Sequence, residues 1–396
     1  MPSTPPTPVP LLSGVTVVDL SRVLAGPFTT MTLANLGARI IKVEIPGTGD
    51  DSRAFGPFAA GKSLYFSAIN CNKESIALNL RDPADKAIFE KLLEKADVLV
   101  ENYRPGTMEK LGYGWDVLHE RYRHLIYGAA SGFGDSGPYS RRAAYDMVVQ
   151  GMGGIISLTG YPGGEPTRVG ISIGDITAGL YLAIGLNAAL FRRAATGVGT
   201  KIDIAMLDCQ VAIMEDAVTV CDKTGEVPGP LGSRHPSIAP FQAFKAADGY
   251  VIIAAGNDHL FGLAAEALDE PGLLTDPRFA TNDLRHLNID ALEAEMERVL
   301  ATKTVAACLA ALNDKGVPCG PINDIAHMMA DPQVAARDMI RSVDDPVAGR
   351  LKVAGNPIKV VGMPEPASVR PPPALDADRA AILAEFVGTT GAGDGI

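Results

Sequence analysis

The stretch Val15–Glu44, VTVVDLSRVLAGPFTTMTLANLGARIIKVE, decides the fold of the first part of the chain. It begins with a β-branched run at residues 15–20, continues with apolar residues at helical spacing over residues 28–36, and ends with a second apolar run at residues 38–44. Gly37 stands where a helix would end. Two strands joined through a helix form a right-handed βαβ unit in a parallel sheet. The stretch therefore predicts an α/β fold.

The same alternation continues along the chain. Helices are expected at residues 84–95, 175–193 and 209–224. Short strands are expected at residues 97–100, 125–128 and 202–206. This order predicts a doubly wound, Rossmann-like large domain.

A stretch rich in glycine and proline, residues 225–240, separates this pattern from a different one. After it, a strand at residues 250–255 and helices at residues 289–300 and 305–315 indicate a smaller α+β domain. We expect the following organisation: a disordered extension over 1–11, the N-terminal part of the large domain over 12–225, the small domain over 226–323, and a return to the large domain with a C-terminal tail over 324–396.

The composition favours a cytoplasmic protein without nucleic-acid or membrane partners. Hydrophobic residues make up 47% of the 396 residues and charged residues 20%, which is enough to bury a core. A formal net charge of −11 repels polyanions, and an aromatic content of 6% offers little for base stacking. We see no signal-peptide pattern and no run of about 18 apolar residues that would predict a membrane span. The five cysteines form no CxxC pair, which is typical of reduced, buried thiols.

Several common cofactor and catalytic motifs are missing from the sequence. Residues 21–27, SRVLAGP, stand where a dinucleotide-binding fold carries GxGxxG, so NAD binding is disfavoured. No Walker A motif occurs. The six histidines have no HExxH or HxH spacing, which argues against a metal site, and no GxSxG motif supports a serine hydrolase. We expect no metal and no tightly bound cofactor.

Asp175 opens the longest predicted helix, directly after Gly174. An aspartate at a helix start accepts backbone N–H bonds, and the helix dipole favours its ionised form. The residue is thus either a simple helix cap or a carboxylate nucleophile that attacks an activated acyl group.

Two further groups of polar residues stand where ligands bind in α/β folds. The carboxyl ends of parallel strands carry ligand sites, and basic residues there grip phosphates, although a solvated loop gives the same pattern. His235 lies beside Arg234 in a loop bounded by glycine and proline, which is also compatible with an ordinary connection. The residues that follow a predicted strand end are Asn102, Tyr103, Arg104 and Lys110.

Six segments occur in a fixed order: LSGV at 12–15 through DLSRVLAGP at 19–27, LGA at 36–38 through IKVE at 41–44, NCNKESI at 70–76, VENYRPG at 100–106, GD at 174–175 and GVPCGP at 316–321. Each segment alone is weak. Together they resemble the class III CoA-transferase family, the group of formyl-CoA transferase and carnitine CoA-transferase, over about residues 12 to 365.

This resemblance implies a fold and a role for Asp175. The fold is a large domain built from both chain ends, a small domain between them, and two chains threaded as interlocked rings in a homodimer. In the family's mechanism, a carboxylate at the position of Asp175 attacks an acyl-CoA thioester and gives a mixed anhydride. CoA then forms an aspartyl-CoA thioester, and the acceptor carboxylate takes over CoA through a second anhydride. Such exchange conserves the thioester's energy only where water is excluded.

Carried over position by position, the resemblance also implies a set of CoA contacts. Two of them depart from the family pattern. Ile45 stands where some members have an arginine beside the adenine, and Ala143 stands where others have a lysine, with Arg142 as the neighbouring cation. The implied contacts are Leu24, Ala25, Ile45, Leu78, Asn79, Leu80, Arg81, Asn102, Tyr103, Arg104, Lys110, Ala143, Tyr145 and Asp146.

Two other functions compete with CoA transfer. An α-methylacyl-CoA racemase of the same superfamily is similar in fold and shares an aspartate like Asp175, but it needs a histidine where this chain has Tyr145. A tyrosine side chain is a poor base for an α-proton at neutral pH. A catalytically silent CoA-binding protein is the third interpretation, and the aspartate at the nucleophile position argues against it.

The loop SRHPSIAPFQAF at residues 233–244 is most similar to the succinyl-CoA-dependent dicarboxylate branch, which includes citramalate and hydroxymethylglutarate CoA-transferases. We expect Arg234 and His235 to bind the distal carboxylate of a dicarboxylate. The sequence therefore predicts transfer of CoA from succinyl-CoA, or a similar dicarboxylyl-CoA, to a dicarboxylic acid such as citramalate. It leaves the acceptor open, as well as any role for the tail, where LDADR at 375–379 replaces a Gly-x-His-Thr turn of many relatives.

Overall fold

The structure is a computed structural model of the chain and describes residues 9–363, 366 and 368–388. These residues form two compact units. The first comprises the described residues up to Ile155, Arg168–Thr219 and those from Gln333 onward, and the second comprises Ile156–Thr167 and Val220–Pro332. Of the expected disordered extension over 1–11, residues 1–8 lie outside the described residues.

The strands build one large parallel sheet and smaller antiparallel ones. In the described part of the chain they are β1 (Thr16–Asp19), β2 (Arg39–Glu44), β3 (Phe58–Ala59), β4 (Lys62–Ser63), β5 (Lys73–Ala77), β6 (Val98–Glu101), β7 (Ile126–Ser131), β8 (Lys201–Ala205), β9 (Phe241–Lys245), β10 (Tyr250–Ala254), β11 (Cys319–Pro321), β12 (Ile340–Asp345) and β13 (Gly349–Ala354).

The helices alternate with the strands in the first unit, and in the second unit most of them lie between β10 and β11. Over the same described residues they are α1 (Ala25–Asn35), α2 (Leu64–Ile69), α3 (Pro83–Lys95), α4 (Thr107–Leu111), α5 (Trp115–Arg121), α6 (Asp146–Met152), α7 (Ile155–Leu158), α8 (Ile173–Thr196), α9 (Met206–Ala212), α10 (Ala217–Thr224), α11 (Asp258–Ala267), α12 (Gly272–Thr275), α13 (Asn282–Leu287), α14 (Ile289–Leu300), α15 (Val305–Asp314), α16 (Ile325–Ala330), α17 (Pro332–Ala336) and α18 (Arg379–Phe386).

The sheet of the first unit has the strand order β5-β2-β1-β6-β7-β8, and every neighbouring pair is parallel. Neighbouring residues of one strand point to opposite faces, so both faces of the sheet are covered. Val18 packs into a cluster with Phe89 of α3, while Val17 packs into another with Leu33 of α1 and Leu182 of α8. The predicted parallel α/β sheet is confirmed.

Three helical predictions need correction. The helix expected over residues 175–193 spans Ile173–Thr196, so Asp175 is its third residue rather than its cap, and Ser172 precedes the helix. The first helix begins at Ala25, three residues before the predicted start, because Pro27 falls in the first turn, where its missing N–H costs no hydrogen bond. The helix expected over residues 209–224 is divided into α9 and α10, and Glu215 between them has a positive φ of 50° that a continuous helix does not allow.

Helix α8 is also long and apolar enough, by length and composition, to cross a membrane, contrary to the expectation that no such run exists. In its most apolar 18-residue window, 44% of the residues are buried against the rest of the protein. Its buried residues include Leu182 and Leu186, which pack beneath the sheet with α1. A helix at the core of a domain passes the same test, and we assign α8 to that class.

The C-terminal residues of the first unit cover the edge of the sheet at β5. Asp378 accepts a hydrogen bond from the N–H of Ser75 at 2.8 Å, and Asp376 accepts one from the N–H of Ala77 at 2.7 Å. Arg379 donates to the carbonyl of Ala77 at 2.7 Å. The edge strand is thereby closed to pairing with another chain.

The second unit has an antiparallel sheet of order β11-β10-β9, and α11, α12, α14 and α15 share its core. Its core includes Phe244 and Val251 from the strands and Leu292 from α14.

All five cysteines are free thiols. The expectation that they are buried is wrong for Cys221, which is exposed, and holds only partly for Cys319.

Candidate active site

The first turn of α8 lies against α6. The Oδ1 atom of Asp146, the first residue of α6, accepts a hydrogen bond of 2.8 Å from the backbone N–H of Gly174. A Cβ atom at Gly174 would lie 2.7 Å from Cγ2 of Val149 and 3.0 Å from that same Oδ1 atom. Only glycine therefore allows this close approach, directly before Asp175.

Asp175 is a partly buried carboxylate without a basic partner. Burial, and then the negative charge of Asp146, raise its pKa to about 7, although a hydrogen bond from the N–H of Ala25 acts in the opposite direction. Burial, and then the charge of Asp175, raise the pKa of Tyr65 on α2 to about 12. Among the described residues, no lysine, arginine or histidine forms an ion pair with Asp175. Such a carboxylate is free to act as a nucleophile.

The segment between β1 and α1 is fixed by bonds from the ends of other strands. Asn102, just after β6, binds both backbone groups of Arg22: its Oδ1 accepts the N–H at 2.8 Å and its Nδ2 donates to the carbonyl at 2.7 Å. Oδ1 of Asp50 accepts the N–H of Val23 at 3.0 Å, where φ is 66°. These bonds set the backbone just before Ala25.

A cluster of buried charges supports this segment. Nζ of Lys42 lies 2.8 Å from Oδ2 of Asp50 and donates to the carbonyl of Ser21 at 2.7 Å. Asp19 accepts the N–H of Ser21 at 2.9 Å and lies 3.3 Å from Nζ of Lys73. All four charged side chains are almost fully excluded from solvent. This cluster was not predicted, although charged residues inside an apolar strand, as in RIIKVE, are a signal for buried ion pairs.

The CoA contacts implied by the resemblance differ in their exposure. Leu78 and Leu80 are buried in the core of the first unit, where their side chains pack against other apolar residues. Arg81, Arg104 and Lys110 are exposed, and none of the three has an ion-pair partner within the described residues. These three cations are therefore available to phosphate groups.

Other implied contacts have local partners. Asn79 accepts the N–H of Arg81 at 3.1 Å, and the amide of Asn102 is bound to Arg22. The guanidinium of Arg22 lies 5.3 Å from the centre of the Tyr103 ring. Ile45 is exposed and brings no charge to this region.

The implied contacts around α6 are divided between surface and interior. Ala143 and Tyr145 are exposed, the tyrosine to 78%, whereas Asp146 is buried. The neighbouring cation, Arg142, lies over the ring of Tyr139 at 4.5 Å. The side chain of Asp146 accepts a hydrogen bond from the backbone N–H of Gly174, as described above.

In the second unit, the loop after residue 232 is fixed to α14. Arg234 pairs with Glu293 and lies 2.7 Å from Oδ1 of Asp290. Nδ1 of His235 accepts the N–H of Ser237 at 3.1 Å. A substrate carboxylate at Arg234 would have to compete with two acidic side chains.

No group of three or more histidine, cysteine, aspartate and glutamate residues in the described ranges is arranged to hold a metal ion. The site thus combines a free carboxylate, a backbone N–H that faces it, and exposed cations at the carboxyl edge of the sheet. Comparison with known proteins gives this arrangement a family. A family model described as CoA-transferase family III matches residues 12–379. The chain belongs to this family.

Relatives of known activity agree on the reaction and differ in the acids. The acetyl-CoA:oxalate CoA-transferase of Acetobacter aceti is 44% identical to this CoA-transferase over 97% of this chain and 98% of its own. The succinyl-CoA:glutarate CoA-transferase of Homo sapiens is 37% identical over 95% and 86%, respectively. A crystal structure of a CaiB/BaiF family protein from Brucella suis has a TM-score of 0.84 at 40% identity, covering 96% of this chain and 99% of that one.

Proposed function

We propose that this enzyme transfers CoA from succinyl-CoA, or a similar dicarboxylyl-CoA, to a dicarboxylic acid such as citramalate, with Asp175 as the nucleophile. The observation that carries the proposal is the partly buried carboxylate of Asp175, which has no basic partner and accepts an N–H from Ala25. Relatives that use succinyl-CoA with glutarate, mesaconate or D-citramalate support the acids proposed.

The proposed exchange proceeds through two anhydrides. A carboxylate oxygen of Asp175 attacks the thioester carbonyl, the C–S bond breaks, and CoA leaves as a thiolate. The thiolate attacks the aspartyl carbonyl of the mixed anhydride, which releases the donor acid as a carboxylate and leaves an aspartyl-CoA thioester. The acceptor carboxylate attacks this thioester and again frees the thiolate. Attack of the thiolate on the acceptor's acyl carbon yields the new acyl-CoA and restores the Asp175 carboxylate.

The surroundings of Asp175 suit these steps. A carboxylate whose pKa is raised to about 7 is more basic than an ordinary aspartate, and a more basic carboxylate is a stronger nucleophile once it is ionised. The N–H of Ala25 faces the carboxylate from the first turn of α1 and can stabilise negative charge on oxygen in the tetrahedral intermediates. We further propose that Arg81, Arg104 and Lys110 bind the phosphates of CoA.

A second candidate is transfer from acetyl-CoA to oxalate. It is favoured by the 44% identity to the oxalate enzyme of Acetobacter aceti, which extends over 97% of this chain. The two candidates differ in the donor acid and in the length of the acceptor, and a pocket separates such acids by only about 1–3 kcal/mol per methylene.

A matrix of donors and acceptors tests the substrate. Succinyl-CoA and acetyl-CoA are each combined with citramalate, malate, itaconate, glutarate, hydroxymethylglutarate and oxalate, and product acyl-CoA is separated by chromatography. We expect the largest kcat/KM for succinyl-CoA with a dicarboxylate of four or five carbons. A larger value for acetyl-CoA with oxalate would replace this proposal by the second candidate.

The anchoring role that we propose for Arg234 and His235 is tested in the same assay. If Arg234 binds the distal carboxylate, Arg234→Ala weakens succinate as an acceptor by about 10-fold or more and leaves butyrate unchanged. Equal losses with both acids would instead assign Arg234 to its pairs with Asp290 and Glu293, which hold the loop to α14.

We also propose that the enzyme is a homodimer. One side of α8 exposes a stripe of apolar side chains at helical spacing, Leu180, Ile184 and Phe191, the last of them 83% exposed. A second copy of the chain would cover such a stripe. Light scattering at micromolar concentration is expected to give twice the chain mass of 41.5 kDa, and a mass of one chain would contradict the proposal.

A further inference from the structure

Asp146 is a buried carboxylate whose two oxygen atoms are both in use. Oδ1 accepts the N–H of Gly174 at 2.8 Å, and Oδ2 accepts Nε2 of Gln150 at 2.7 Å. The guanidinium of Arg168 lies 3.7 Å from Oδ2, with its own side chain 43% exposed. Both oxygen atoms of Asp146 therefore bind protein groups rather than a ligand.

Gln150 extends this arrangement to the chain that leads into α8. It is fully buried one turn after Asp146 on α6, and its Oε1 accepts the N–H of Val169 at 3.0 Å. Its Nε2 also lies 3.4 Å from the carbonyl oxygen of Ile171. We call Asp146 and Gln150 the α6 clamp. The clamp binds the backbone at residues 169, 171 and 174, which is the whole approach to Asp175.

We propose that Asp146 is a positioning residue of the transfer reaction: it holds the first turn of α8 where Asp175 can attack, and its negative charge acts on the carboxylate of the nucleophile. This inference rests on the proposed nucleophilic role of Asp175. It differs from the CoA contact that the sequence resemblance implies for Asp146.

The charge of Asp146 also has an effect that can be measured. The groups that face Asp175 are Asp146 from α6, Tyr65 from α2 and the N–H of Ala25 from α1, and Arg168 partly compensates Asp146. After burial, Asp146 is the group that raises the pKa of Asp175. Removing its charge lowers that pKa, so Asp175 becomes ionised at a lower pH and the acidic limb of the rate profile moves to lower pH.

The test compares two variants that keep the Gly174 bond. Asp146→Asn retains an oxygen acceptor for Gly174 but removes the charge and the acceptor of the Gln150 amide. Gln150→Leu retains the charge and removes the bonds of Gln150 to Asp146 and to residues 169 and 171. For Asp146→Asn we expect the acidic limb of kcat/KM to move down by about one pH unit, the size of a typical neighbouring-charge effect. For Gln150→Leu we expect kcat to fall by about threefold to 10-fold with no movement of the limb.

A third variant, Asp146→Ala, removes both the charge and the acceptor. Because a small misplacement of a reacting group is costly, we expect kcat to fall by about 100-fold while KM for the acyl-CoA changes by less than about threefold. Should this variant fail to fold, Asp146→Asn alone carries the test, with its folding checked by circular dichroism.

An acidic limb in Asp146→Asn that coincides with that of the unaltered enzyme would overturn the inference. The proposed nucleophilic role of Asp175 has a separate test, because that role is excluded if Asp175→Ala continues to exchange CoA. If Asp175→Ala abolishes exchange and Asp146→Asn leaves the pH profile unchanged, Asp175 remains the nucleophile and the positioning role of Asp146 is rejected.

Discussion

Asp175→Ala is expected to abolish CoA exchange, with a loss of about 10⁴-fold or more in kcat, while the fold remains. The first turn of α8 contains no other carboxylate, and the neighbouring Asp146 is occupied by Gly174 and Gln150. Neither this turn nor Asp146 can therefore supply a free carboxylate to form the anhydride. Exchange is measured as labelled succinate entering succinyl-CoA, and hydroxylamine is expected to trap the acyl-enzyme at Asp175 only in the unaltered protein.

The fold survives this change because the fold does not depend on the ionised Asp175. Burial and the charge of Asp146 raise its pKa to about 7, which means that folding disfavours the charged form relative to the unfolded chain. A matched control is Asp208→Ala, which removes an exposed aspartate from the first turn of α9 and is expected to keep full activity. If Asp175→Ala turned over within about 10-fold of the unaltered enzyme, a covalent role for this residue would be excluded.

Elements with strong local signals were predictable from the sequence. Helix α3 begins where Asp82 caps two N–H groups and Pro83 takes the first helical position, one residue before the predicted start. Helix α14 has the predicted bounds, Ile289–Leu300, because its apolar residues repeat on one face. The parallel sheet followed from the order of strands and helices alone, as βαβ connections allow little else.

The parts that escaped prediction depend on contacts between distant residues. The bond from Gly174 to Asp146 spans 28 positions, and the bonds from the C-terminal aspartates to β5 span about 300. Neither leaves a periodic pattern. The family resemblance implied site roles for Asp175 and Asp146, but it did not predict that Asp146 accepts a hydrogen bond from the N–H of Gly174. That role needs the register of two helices.

The buried charges at Lys42 predict the largest loss of stability. Nζ of Lys42 is fully buried, pairs with Asp50 at 2.8 Å and donates to the carbonyl of Ser21 at 2.7 Å. Burial lowers the pKa of Lys42, but the charges of Asp19 and Asp50 outweigh that effect and raise it overall, so the ammonium form is retained. Lys42→Met removes this charge and leaves the carboxylates without it in the interior.

We expect Lys42→Met to lower the free energy of unfolding of the first unit by about 3–5 kcal/mol, as breaking a buried ion pair from one side does. The protein has one tryptophan, Trp115, which packs against the core of this unit, so urea unfolding followed by its fluorescence reports on the unit that contains Lys42. The matched control is Lys91→Met. That residue pairs with Glu94 at the surface, with both side chains about half exposed, and its loss is expected to cost at most about 1 kcal/mol. Equal losses in the two variants would mean that the buried cluster does not stabilise the sheet, and the segment before Ala25 would then need another support.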